Sequence, residues 1–163
     1  MVFVRHLPND GEWQRVNEAL RKPPISTEQV LHPEKYLKDD DIPLEVVLPP
    51  LGELVGSDWK ELGQNVLGEL QISILLRKHW GLKAAAGWDG DRYAIFKGPN
   101  DDLGLVWYTT WDSEADAKEF AGAYWRYLAV KLGISDSKNN ANEPNPPEVA
   151  SRLNIARDGR AYL

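Results

Sequence analysis

Apolar positions recur at helical spacing near the middle and end of the chain. In 113–131, Ala117, Phe120, Ala121, Tyr124 and Leu128 fall on one stripe. Asp112 or Ser113 stands where an N-cap belongs, and Glu114, Asp116 and Lys131 complement the helix dipole. Just upstream the period changes to two. Tyr93 to Lys97 and Leu103 to Thr110 alternate on either side of the Gly98 to Asp102 turn cluster. That order predicts a β-hairpin with a long helix folded back on it. A second helix is expected over 65–78, with Val66, Leu67, Leu70, Ile74 and Leu75 inward and Gly81 as its C-terminal break.

Before these elements the pattern is shorter-ranged. Glu12 to Leu20 reads as a helix with Trp13, Val16 and Leu20 on one face, stopped by Lys22-Pro23-Pro24. Ser26 and Gln29 have capping-box spacing, Ile25 and Val30 occupy the staple positions, and Pro33 keeps that helix short. Ile42 to Leu48 is expected to be a strand ended by Pro49-Pro50, and Trp59 to Leu62 a short one. Residues 135–149 are Asn-, Pro- and Ser-rich and read as a mobile loop. Asp158-Gly159 marks a terminal hairpin whose last arm would be a sheet edge, or the stump of a longer chain. The expected fold is one α+β domain over residues 1–163. A small, mostly antiparallel sheet (91–97, 103–110 and neighbours) is covered by the 65–78 and 113–131 helices.

Composition narrows the functional classes. The net charge is -6, with Lys and Arg scattered, which argues against non-specific nucleic-acid binding and against docking on anionic lipid. There are no cysteines, so disulfides, thiolate catalysis and Cys-ligated metals are excluded. No apolar run reaches membrane-spanning length, so no membrane insertion is expected. The N-terminus lacks a signal peptide's apolar core, and the chain as it stands is expected in the cytoplasm.

No complete catalytic motif is present, and neither a metal nor a cofactor is expected. His6, His32 and His79 lack His-Glu-x-x-His spacing, and no acidic cluster has EF-hand spacing. Asp89 and Asp91, set in Gly87-Trp88-Asp89-Gly90-Asp91, read as a solvated acidic loop before a strand. Arg92 reads as a bridge to a loop carboxylate stacked on Trp107 or Trp111, or else as a ligand anchor at the sheet edge. Glu69 lies beside the apolar face of its helix, where burial would raise its pKa and suit it to acid–base work. Trp107, Tyr108, Trp111, Tyr124, Trp125 and Tyr127 crowd into a short stretch, so some must approach the surface. Exposed aromatics of this kind serve interfaces and sugar platforms.

Three segments together carry a resemblance. They are Pro-Pro-Ile-Ser-Thr-Glu-Gln-Val-Leu-His-Pro-Glu-Lys-Tyr (Pro23 to Tyr36), Val-Leu-Gly-Glu-Leu (Val66 to Leu70), and Ala-Ala-Gly-Trp-Asp-Gly-Asp-Arg-Tyr (Ala85 to Tyr93) with Trp-Asp-Ser-Glu-Ala-Asp-Ala-Lys-Glu-Phe (Trp111 to Phe120). In this order they resemble the C-terminal half of an uncharacterised bacterial family of zinc-metallopeptidase-like proteins. The likeness spans about Phe3 to Leu132. It implies that the His-Glu-x-x-His region lies upstream, so no zinc ligand or catalytic Glu is carried onto this chain. Relatives in that family look exported, which leaves the compartment open.

The first functional expectation is therefore a non-catalytic interaction or assembly module. Its partner would be another protein or a second copy, as in a homodimer, with Asp89, Asp91, Arg92, Trp107, Trp111 and Trp125 as contact residues. The alternatives are a remnant or accessory part of a hydrolase using carboxylates such as Glu69, and a small-ligand or glycan binder using Trp107 and Trp111.

Overall fold

The computed structural model describes residues 3–7, 13–37, 41–51, 56–132, 154–155 and 161–162. At its centre β2 (Trp88–Lys97) pairs antiparallel with β1 (Lys60–Asn65) on one side and β3 (Leu103–Trp111) on the other. Two short strands, β4 (Asn154–Ile155) and β5 (Ala161–Tyr162), extend the sheet beyond β3 in the order β1-β2-β3-β5-β4. The outer strand of that pair is β4, so the chain's last strand lies inside the sheet and not at its edge. Between β2 and β3 the chain makes a 3₁₀ turn, Pro99–Asp101. Asn100 and Asp101 take φ of 60° and 66° there, a conformation Asn and Asp tolerate better than most residues.

Four short helices precede the sheet: α1 (Phe3–His6), α2 (Gln14–Arg21), α3 (Thr27–Leu31) and α4 (Pro33–Leu37). Between β1 and β2 come α5 (Gly68–Leu75) and α6 (Gly81–Ala85), and after β3 the long α7 (Glu114–Leu132). This is an α+β domain. Ser113 starts α7, its Oγ accepting from Asp116 N at 3.2 Å. The helix then lays Phe120 on the sheet, stacked on Trp111 with ring centres 4.6 Å apart and edge-on to Trp107 at 5.4 Å. Ile72, Leu76, Ala84, Ala85, Trp88, Ala117 and Ala123 complete this main core. The alanines let α6 and α7 come close to the large rings.

Several sequence expectations change. The expected 65–78 helix is shorter and rotated. It buries Glu69, Ile72, Ser73 and Leu76, while Val66, Leu70 and Ile74 are exposed. The polar residues can turn inward because they find partners there: Ser73 Oγ donates to Leu70 O at 2.7 Å, and Glu69 meets His32. Gly81 does not end that helix but opens α6. A Cβ on it would lie 2.2 Å from Ser73 O, so close backbone packing fixes the glycine. In α2, Val16 and Ala19 pack towards Phe3, Leu7 and Tyr36, whereas Trp13 and Leu20 are exposed.

Residues 42–48 form no ladder strand. They run across the domain and bond to Asp89 and Arg92 instead. At the start of α3, Ser26 Oγ accepts from Gln29 N at 3.1 Å as expected, but Gln29 Oε1 accepts from Ile25 N. Ile25 and Val30 are both exposed. Pro33 stops α3 and at once begins α4, where a proline at the first position costs no hydrogen bond. The expected loop at 135–149, the Asp158-Gly159 turn, and Asp39 and Asp40 of the acidic run lie outside the described residues.

Candidate functional site

Asp91 is the best-connected polar side chain. It sits mid-strand in β2, only 2 % exposed. Its Oδ1 accepts from Gly68 N at 2.8 Å and Trp88 Nε1 at 3.0 Å. Its Oδ2 accepts from Leu67 N at 2.9 Å and Trp107 Nε1 at 2.9 Å. One carboxylate therefore caps α5 and fixes two indoles. This corrects the reading of Asp89 and Asp91 as a solvated loop: Trp88 to Asp91 lie within the sheet, and both aspartates are buried. Backbone and indole N–H groups replace the water that an exposed carboxylate would hold.

In the first turn of α5, Glu69 is also 2 % exposed, and its Oε1 lies 2.9 Å from His32 Nε2, at the junction of α3 and α4. Burial pushes the Glu69 pKa upward, and His32 only partly offsets this. The other carboxylate oxygen, Oε2, is buried and accepts no hydrogen bond from a described residue. A second polar knot lies beside it. Lys35 Nζ on α4 donates to Glu28 Oε1 at 2.6 Å and to Asp112 Oδ2 at 2.9 Å, and lies 3.6 Å from Asp41 Oδ2. Burial raises the pKa of Glu28 to about 7 against the pull of Lys35. Burial opposes the charge on Lys35, but its bonds to Glu28 and Asp112 outweigh that and raise its pKa.

Arg92 donates from Nε to Val46 O at 2.6 Å. Among the described residues it bridges to no loop carboxylate and stacks on neither Trp107 nor Trp111, because adjacent strand residues face opposite ways and Asp91 is already committed. Leu44 N donates to Asp89 O at 2.6 Å and Oδ1 at 3.3 Å. These bonds pin the 42–48 segment over a cleft of about 340 Å³, which Thr27, Glu45, Gly68, Asp91 and Arg92 help to line.

The aromatics expected to approach the surface divide between the core and a half-buried position. Trp111 is fully buried, its Nε1 donating to Thr109 Oγ1 at 2.9 Å. Trp107 is half-buried with its N–H given to Asp91, and Trp125 is half-buried on α7. The exposed apolar surface is elsewhere. Leu70, Ile74, Trp80 and Leu82 border a groove of about 650 Å³ along α5 and α6. Trp80 is 68 % exposed and Leu82 73 %.

A family model described as "Domain of unknown function (DUF8575)" matches residues 54–163. The chain belongs to the DUF8575 family. Comparisons with curated proteins and with solved structures find no match. The DUF8575 region holds the sheet, Glu69, Asp91, the groove and α7, whereas His32, Lys35, Glu28 and the pinned 42–48 segment precede it. The polar knot thus joins the DUF8575 region to the chain ahead of it.

Among the described residues no group of three or more His, Asp or Glu side chains is placed to hold a metal ion, and no helix is long and apolar enough to cross a membrane. Sequence reasoning missed His32 as the partner of Glu69 and missed the groove. One signal was present for the first: Glu69, Ile72, Ser73 and Leu76 follow i, i+3, i+4, i+7 spacing, which puts the Glu inward.

Proposed function

We propose that this DUF8575 protein is a non-catalytic interaction module that docks a protein through the α5–α6 groove. The observation that carries this reading is the exposure of four large apolar side chains, Leu70, Ile74, Trp80 and Leu82, around one groove. Contiguous apolar surface of this kind marks contact sites, and Trp is the side chain most enriched at their energetic centres. A photo-crosslinking residue placed at Leu82 in the full chain, expressed in its own cell, tests the reading. Crosslinks to one protein or to a second copy that vanish on Trp80→Gly support it. Crosslinks that Trp80→Gly leaves unchanged overturn it.

A second reading, a part of a metallopeptidase-like hydrolase, is favoured by the His32–Glu69 pair. There a buried carboxyl of raised pKa shares a hydrogen bond with an imidazole, an arrangement able to hold and pass one proton. Hydrolysis of peptide or ester substrates by the purified chain, lost in Glu69→Gln, would favour this reading over the first.

A further inference from the structure

The groove lies in a stretch of sequence that carries basic residues and no acidic ones. The whole chain has a net charge of -6, yet residues 70–88 contain Arg77, Lys78 and Lys83 and no Asp or Glu. Lys83 is paired with Glu119. Arg77 and Lys78 are exposed and form no ion pair with a described residue. Arg126 of α7 stacks its guanidinium 4.8 Å from the Trp80 ring centre, and Val130, one turn further on that helix, is exposed. Arg77 and Lys83 thus line an apolar groove on a protein of net negative charge, and of these Arg77 has no ion-pair partner among the described residues.

Trp80 is held there against its backbone preference. It adopts φ 57° and ψ 39°, the left-handed region that a bulky residue rarely enters. Gly81 must pass against Ser73 O, and this tight turn leaves the indole projecting.

We propose that the groove takes an acidic amphipathic helix of a different protein, with its apolar ridge against Trp80 and Leu82 and its carboxylates against Arg77, which lines the groove, and its exposed sequence neighbour Lys78. The proposal rests on the interaction reading above and names the partner's chemistry. A second copy fits poorly, because a two-fold contact sets a patch against itself and would oppose Arg77 and Lys78 to their own copies. A lipid surface fits poorly too, because the apolar residues border a concave groove, which suits an inserted helix ridge.

The test titrates the full chain into a labelled synthetic amphipathic peptide with Leu and Phe on one face and Glu on the other. A peptide with the same apolar face and Lys in place of Glu, and phosphatidylserine vesicles, are run in parallel. The expected result is binding of the Glu peptide above the Lys peptide. Trp80→Gly and the double variant Arg77→Glu, Lys78→Glu each weaken it by roughly ten-fold, the loss of one strong contact. Glycine suits the left-handed backbone at position 80, so that variant keeps its fold. Equal binding of both peptides, lost in Trp80→Gly, overturns the acidic partner and leaves the docking groove standing. Self-association lost in Trp80→Gly does the same in favour of a second copy. Binding to vesicles alone, or to no probe with the chain monomeric throughout, overturns both the acidic partner and the interaction reading.

Discussion

The Trp107 indole donates to the Asp91 carboxylate at 2.9 Å across the β2–β3 pair, diagonally, since Asp91 stands opposite Thr109 and Trp107 opposite Tyr93. The same carboxylate holds the first turn of α5, so the bond couples the sheet to the helix that carries Glu69 and the groove. Asp91→Asn keeps the shape but turns an amide NH₂ towards N–H donors. It should cost about 2–3 kcal/mol, and Asp91→Ala more, because buried donors lose their acceptor. Urea unfolding checks this: the midpoint should fall at unchanged slope.

The polar knot predicts an acid-favoured stability. The folded-state pKa of Glu28 is raised from 4.5 to about 7, so the folded chain holds a proton that the unfolded chain has released. Its contribution is fully present below about pH 4.5 and is lost as pH rises through about 7. Glu69 is raised in the same direction. The shift at Glu28 corresponds to about 3 kcal/mol. Unfolding midpoints should therefore drop between about pH 5 and pH 8. Glu28→Gln, uncharged throughout, should flatten that slope. Lys35, Asp112 and Asp41 are the groups that face Glu28, and Lys35→Met should steepen the loss at neutral pH by removing the compensating cation.

Two glycines of the same chain should answer differently to alanine. Gly81→Ala drives a Cβ to 2.2 Å from Ser73 O and 2.8 Å from Leu76 C, both backbone atoms that cannot swing aside. A loss of about 3 kcal/mol follows from forcing these elements apart. At Gly63, in β1, a Cβ meets nothing within 4 Å. Gly63→Ala should leave the melting temperature near its starting value.

Trp80→Gly should be close to neutral or slightly stabilising. Relief of the left-handed backbone returns about 1 kcal/mol, and loss of the Arg126 stack removes about 0.5–1 kcal/mol. A large fall in melting temperature would mean that the exposed indole serves the fold rather than docking.

The hairpin and α7 were legible because their signals are local. Ser113, Asp116 and the Ala117–Phe120–Tyr124 stripe act within one helix, and the alternation at 93–97 and 103–110 sits beside its own turn. The centre of the site was hidden because its partners are remote. Nothing next to Glu69 announces His32, and nothing next to Asp91 announces the Leu67 and Gly68 amides. Aspartates between glycines look like a loop until those donors are in place. In the same way Ile42 to Leu48 has strand composition, but it is tied to β2 only through Asp89 and the Arg92 side chain and joins no ladder.

The family boundary near residue 54 falls between the two halves of the polar knot. Lys35 reaches across it to Asp112, His32 to Glu69, and Val46 receives Arg92. Cleavage at that boundary, followed by separation of the pieces, would hand Glu69, Asp89 and Arg92 back to water while the β1–β3 meander stays paired. The raised pKa of Glu69 is therefore a property of two segments in contact. A relative that kept the DUF8575 region without the segment carrying His32 would hold that glutamate with a less raised pKa.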